Sequence, residues 1–196
     1  MTSRPITKDE HIMIMKTMNE NHEGFFKRNP QIIHILTVEC STGLRLGDIL
    51  RMKLSDIYRT DKGYRLKIIE KKTGKRREVK INREFQKHIR DCRAALHIDD
   101  MDEPCFISTK GKPYSVQWIN LVFKELKDLY NLKIDHFSTH SLRKTFGRKV
   151  FESSDNAELA LVKLMELFNH SSVSITKRYL GLKQEEILQT YDCLSF

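Results

Sequence analysis

The chain has 196 residues, with 35 Lys and Arg against 26 Asp and Glu and a formal net charge of +9. Its 39% apolar content is enough for an ordinary core, which excludes wholesale disorder, and its length suits one domain. The positive excess predicts an anionic partner, nucleic acid ahead of a membrane surface. No apolar run approaches the roughly 18 residues of a membrane span, and no apolar stretch of a secretory signal follows Met1-Thr-Ser-Arg-Pro. Cys40, Cys92, Cys105 and Cys193 are scattered and form no C-x-x-C pair. That argues against a disulfide scaffold or zinc ribbon and suits a reduced, cytoplasmic protein.

Residues 1–6 read as a tail and 7–196 as one domain. Thr7 and Glu10 fit a capping box that opens a helix to about Asn21. Pro30 suits the first turn of a second helix, with Ile32, Ile33, Ile35, Leu36 and Val38 inward and Gly43 near its end. A short helix over Gly47–Lys53 would bury Ile49, Leu50 and Met52. The period then changes: Tyr64–Glu70 and Arg77–Ile81 alternate as strands, and Thr73-Gly74 turns between them, a β-hairpin near 64–81. A helix follows from Glu84 to Leu96, then an extended piece at Cys105–Ser108 and a turn at Lys110–Pro113. Further helices are expected from a Ser115 cap to about Tyr130, at Ser141–Phe151, at Asn156–Phe168 and at Val173–Leu180. Gln184–Cys193 reads as a last amphipathic helix, with Ile187, Leu188, Tyr191 and Leu194 as its stripe. The expected class is α+β, mainly helical with a small antiparallel sheet.

Three segments concentrate reactive side chains: Thr42-Gly-Leu-Arg45-Leu-Gly-Asp48, His140-Ser-Leu-Arg143, and His170 with Tyr179 nine positions later. A fourth, Lys71-Lys72-Thr-Gly-Lys75, sits at the hairpin tip. Taken singly, each has an ordinary explanation. Arg45 can pair with Asp48, His140 and Arg143 can be a surface pair at i, i+3, Tyr179 can be half-buried core, and Lys72 a solvated charge. His136 and His140, at i, i+4, lack an obvious third metal ligand.

Together these segments resemble the catalytic domain of the tyrosine recombinase (phage integrase) family. The family's first box is T-G-L-R with an acidic residue three positions on, its second H-x-L-R. Its third is L-G-H with the nucleophilic tyrosine nine residues later, and its lysine lies in a hairpin between the first two boxes. Phe168-Asn169 replaces the usual Leu-Gly before His170. Asn tolerates the left-handed backbone better than most residues, so the departure is expected to be tolerated. The family's extra N-terminal helical domain, which clamps the far side of DNA, has no counterpart in this sequence. That is expected either of a natural single-domain member or of a fragment.

The resemblance implies cleavage and rejoining of DNA through a covalent 3′-phosphotyrosine, in integration, excision, inversion or resolution. Arg45 and Arg143 would grip the non-bridging oxygens, a role suited to bidentate, permanently charged groups. They would supply by charge what other phosphoryl-transfer sites draw from metal ions, so no metal or other cofactor is expected. Tyr179 would attack, and its ordinary pKa of roughly 10 calls for cationic neighbours or a base; His140 would be that base, or else a hydrogen-bond partner to the phosphate. Lys72 would protonate the leaving 5′ oxygen, with Lys71 and Lys75 as alternatives. His170 would bind a phosphate oxygen, and Asp48 would hold Arg45 in place. Arg65, Lys71, Lys75, Arg76, Arg77, Lys144 and Arg148 are the expected contacts to double-stranded DNA. The last helix is expected either to exchange between protomers of a tetramer on DNA or to fold back in cis. Two other readings remain at this stage: a type IB topoisomerase, and a non-catalytic DNA-binding module of the same fold.

Overall fold

A computed structural model describes residues 3–19, 30–96, 100–108 and 110–182. The expected Gln184–Cys193 helix lies outside the described residues. Helix α1 spans Lys8–Asn19 and opens on the expected box: the Glu10 N–H donates to Thr7 Oγ1 (3.2 Å), and the Thr7 N–H to Glu10 Oε2 (2.8 Å). Arg4 reinforces it by a bidentate bond to the same carboxylate at 2.7 and 2.9 Å.

Helix α2, Pro30–Thr42, is buried on every side from Gln31 to Cys40, the pattern of a central core helix rather than a surface one. It packs against α4 (Arg83–Leu96) and α6 (Thr139–Glu152). Gly43 ends it at φ +59°, and a Cβ there would meet the Phe146 ring at 2.3 Å, so the chain turns into the first box against α6 only with glycine. The next helix, α3, is shorter than expected, Leu46–Ile49, but Ile49, Leu50 and Met52 are all buried as the pattern required.

The sheet has three antiparallel strands in the order β1 (Ile57–Thr60), β2 (Gly63–Ile69), β3 (Arg76–Ile81). The hairpin was legible; β1 was not, because four residues are too few to show alternation. Tyr64 pairs with Ile81 and Ile69 with Arg76, which puts Leu66 and Ile68 in the core and residues 70–75 in the connecting turn. The extended piece at Cys105–Ser108 joins none of these strands: Ile107 makes an isolated bridge with Pro113, and just before it Pro104 bridges Lys53.

Helix α5 (Val116–Leu129) starts at Ser115, whose Oγ accepts from the Trp118 N–H. The last described helices are α7 (Ala157–Phe168), capped by Asn156, and α8 (Val173–Leu180), capped by Ser172. The larger apolar cluster joins α1–α6 and the sheet. A smaller one gathers Leu161, Leu164, Phe168, Leu180 and Leu182, with Phe146 and Tyr179 packed on it. The reactive segments meet on the seam between the two.

Candidate active site

Arg45 begins α3 and Arg143 lies one turn inside α6, yet both point at the C-terminal end of α7. Arg45 Nη2 donates to the Phe168 carbonyl at 3.2 Å and Arg143 Nη2 to the same oxygen at 3.4 Å. The end of a helix leaves such carbonyls without partners and carries partial negative charge, so it attracts two guanidiniums that would otherwise repel. Arg143 is 4% exposed, donates through Nη1 to the Gly43 carbonyl, and lies 4.5 Å above the Phe168 ring. Burial pulls its guanidinium down to about 10, which leaves it charged at neutral pH.

The acidic partner of Arg45 is Glu70, at 2.6 Å, and this corrects the expectation that Asp48 holds it. Asp48 instead bonds Arg51 at 2.7 Å and accepts the Lys71 N–H at 2.9 Å, so it ties the first box to the start of the lysine turn. Glu70 also takes Arg77 at 3.4 Å and the Thr73 hydroxyl at 2.9 Å. Burial alone would raise the Glu70 carboxyl, but Thr73, Arg45 and Arg77 hold it below its ordinary value. Sequence reasoning missed Glu70 because its partner lies on another element; an acidic residue at the mouth of the basic turn was the signal available.

The two histidines reach the site differently. His140 is open to solvent on the first turn of α6. Partial burial of its ring, then the charges of Arg143, Lys144, Lys72 and Arg45, hold its imidazole below its ordinary value. His170 is fixed by Thr176, buried on α8, through an Nδ1–Oγ1 contact of 3.0 Å. Burial, Arg143 and Arg45 lower its pKa too. Tyr179, on α8, stands edge-on to the rings of His170 and Phe168, at centroid distances of 5.1 and 5.4 Å. Its hydroxyl is buried beside Arg143. Desolvation pushes the phenol up to about 12 against the pull of Arg143. A third buried acid, Glu39 on α2, lies within electrostatic reach of Arg143 and Tyr179, and burial raises its carboxyl well above the usual range. Nothing in the sequence distinguished it from a surface glutamate.

Lys71, Lys72 and Lys75 are all exposed at the turn. Of the three, Lys72 is the one whose charge is felt at His140, whereas Lys75 Nζ donates to the Asn169 side-chain oxygen beside His170. Asn169 adopts φ 56° and ψ 50°, the left-handed conformation expected of it.

Two of the expected DNA contacts are corrected. Arg77 is pinned inward, with its side chain 13% exposed, on Glu70 and the Thr42 carbonyl (2.9 Å). Lys144 is buried, donates to the Ser3 carbonyl and lies 5.0 Å from the Tyr179 ring centroid. Both are charges that alternation and helical spacing could not separate from their exposed neighbours. Arg76 is exposed, Arg65 pairs with Glu78 at 2.7 Å on the sheet surface, and Arg148 pairs with Glu152 at 3.0 Å. Among the described residues no group of three His, Cys, Asp or Glu side chains gathers.

A helical domain with a three-stranded sheet, presenting two arginines, two histidines and a tyrosine around one helix end, has the fold of tyrosine recombinase catalytic domains. The sequence profile of the phage integrase family matches residues 4–186. The chain belongs to that family, whose members cleave and rejoin DNA. It is 28% identical over 193 residues to the probable integrase/recombinase YoeC of Bacillus subtilis, covering 96% of this chain and 94% of that one. It is 26% identical over 161 residues to the tyrosine recombinase XerC of Bradyrhizobium diazoefficiens, covering 80% of this chain but 47% of the relative. A similar solved structure is the XerH site-specific recombinase bound to a palindromic difH substrate after cleavage. Its TM-score is 0.72 at 14% identity, over 96% of this chain and 52% of that one. Among the described residues no helix is long and apolar enough to cross a membrane.

Proposed function

We propose that the chain carries the strand-transfer chemistry of a site-specific DNA recombinase. The observation that carries this reading is the convergence of Arg45 and Arg143 on the Phe168 carbonyl beside the rings of His170 and Tyr179. A phosphate seated there meets both guanidiniums, which stabilise the charge spread over its non-bridging oxygens during in-line displacement. Thr176 holds the His170 ring through Nδ1, which leaves Nε2 to face one of those oxygens.

Tyr179 Oη attacks phosphorus, the bond to the 5′ oxygen breaks, and a 3′-phosphotyrosine forms. His140 takes the phenol proton, and Lys72 gives one to the leaving oxygen. The bond energy is kept in the phosphodiester to tyrosine, so rejoining is the same steps reversed and needs no nucleotide. In the free chain Tyr179 is a neutral, buried phenol; phosphate binding between the arginines gives its hydroxyl a reason to turn out. The partner is double-stranded DNA, held at phosphates by exposed cations such as Lys71 and Arg76. A palindromic site like that of XerH presents two equivalent half-sites, which two-fold-related protomers match. The chain therefore acts as a homo-oligomer on DNA, with residues 7–196 as its catalytic domain.

The test is covalent trapping. Protein is incubated with supercoiled plasmid carrying the DNA that flanks its gene, in EDTA without nucleotide, and quenched with SDS. A protein–DNA adduct that Tyr179→Phe fails to form is the expected result, and the adduct's ends map the site. Salt-dependent binding with no adduct, on intact or nicked DNA, would overturn strand transfer and leave a DNA-binding module.

A further inference from the structure

The turn that joins β2 to β3 is braced at both ends. Within it, the Gly74 N–H donates to the Glu70 carbonyl at 2.8 Å and the Glu70 N–H to the Lys75 carbonyl at 3.0 Å, which closes residues 70–75 into a compact loop. At one end Glu70 is held by Arg45 and Arg77. At the other, Lys75 Nζ donates to Asn169 Oδ1. Lys72 stands between the two braces.

Asn169 is an unusual residue to find at the end of α7. At φ 56° and ψ 50° glycine would sit without steric cost. Asparagine accepts some strain there and brings a side-chain acceptor that glycine lacks. That acceptor is directed at the hairpin, 94 residues away in the chain. The residues on either side of Asn169 are Phe168, whose carbonyl receives both arginines, and His170. One side chain therefore connects the lysine-bearing turn to the segment that organises the rest of the site.

We propose that Asn169 is a positioning residue that, through Lys75, latches the Glu70–Lys75 turn onto the His170 segment and so fixes Lys72 against the leaving 5′ oxygen. The inference rests on the strand-transfer reading above. Asn169 touches neither phosphate nor base; it acts through two lysines. Loss of the latch leaves the arginine clamp and Tyr179 in place and lets the turn wander, so the step that suffers is protonation of the leaving group.

That gives the latch a signature. A DNA substrate whose scissile 5′ oxygen is replaced by sulfur releases a thiolate, which leaves without a proton and does not need the lysine. Asn169→Gly and Lys75→Met are compared with wild type at saturating DNA, on nicked duplexes of the mapped site carrying oxygen or sulfur. Each variant is expected to cleave the oxygen substrate about 10-fold more slowly or worse, a fraction of the 10²–10⁴ that a general acid contributes. Asn169→Gly should cleave the sulfur substrate within about 2-fold of wild type, since that substrate bypasses the acid. Asn169→Asp, which keeps an acceptor for Lys75, should restore most of the oxygen rate, and the double variant should be no slower than either single one. Equal slowing on both substrates, or no slowing in either variant, overturns the latch. Should Asn169→Gly fold poorly, Asn169→Ser, which gives up the amide oxygen that Lys75 holds, carries the same comparison. A wild type that cleaves neither substrate overturns the strand-transfer reading and the latch with it, whereas an active wild type with the wrong variant pattern overturns the latch alone.

Discussion

Arg45 and Arg143 share one acceptor, the Phe168 carbonyl, at 3.2 and 3.4 Å. Each also holds a second fixed partner, Glu70 for Arg45 and the Gly43 carbonyl for Arg143. The protein thus sets both forks before any phosphate arrives, and the remaining donors are oriented at no further cost in side-chain entropy. A lysine cannot do this, because its single ammonium lacks the planar fork. Arg45→Lys and Arg143→Lys should each lower the rate of adduct formation by at least about 100-fold. Arg143→Lys should also lower the melting temperature, since it is the buried member. A lysine variant within 10-fold of wild type would remove the case for a fork.

Arg76 and Arg77 are adjacent, and the structure gives them opposite tasks. Arg76 is exposed, while Arg77 lies on Glu70 and the Thr42 carbonyl. Arg76→Ala should reduce the slope of log K against log salt by about 1 for a lost phosphate contact, with thermal stability unchanged. Arg77→Ala should cost about 2 kcal/mol of stability, as for a hydrogen bond between charged groups, without changing that slope. Salt titration of DNA binding and urea denaturation of both variants separate the two roles.

Gly147 lets α6 approach α8, which carries Tyr179. A Cβ there would stand 2.6 Å from Leu180 Cδ2 and 3.0 Å from the Phe168 ring. Gly147→Ala should cost about 1–3 kcal/mol, as overpacking does, and it should displace α8. Adduct formation should therefore fall even at temperatures where the variant remains folded, as circular dichroism would verify. Full activity at such a temperature would show that α8 can shift without moving Tyr179 out of line.

Cys40 is buried and Tyr179 half-buried with its hydroxyl enclosed, and desolvation pushes each up to about 12 from ordinary values near 9 and 10. Because the folded values lie above the unfolded ones, the stability they contribute is complete below pH 9 and is lost as pH climbs toward 12. Each group contributes at most about 1.4 kcal/mol per pH unit in that window. Tyr179→Phe should therefore lose stability less steeply than wild type above pH 10, measured as denaturation midpoints. Parallel curves would mean that the phenol is not desolvated.

The reactive segments were legible because each is local. A capping box, a turn, or an arginine three residues after a histidine is fixed by backbone geometry over a few positions. The apolar periods likewise placed the helices and the hairpin. Their lengths were less secure: α3 closed after four residues, and β1, also four, showed no alternation. Asn169 in the left-handed region could be anticipated from its chemistry, but its grip on Lys75 could not.

The sequence by itself determined a mainly helical domain with a small sheet, a basic surface, and the order of Arg45, Lys72, His140, Arg143, His170 and Tyr179. Only the tertiary structure decided which charges belong together. Asp48 was the nearest acid to Arg45 along the chain, yet Glu70 holds it, because β2 ends beside α3. Arg77 and Lys144 looked like surface cations until packing buried them. The physical reason is the reach of each interaction. Helix and strand periods are written by neighbours a few residues apart, whereas an ion pair depends on which distant elements the core brings within about 4 Å.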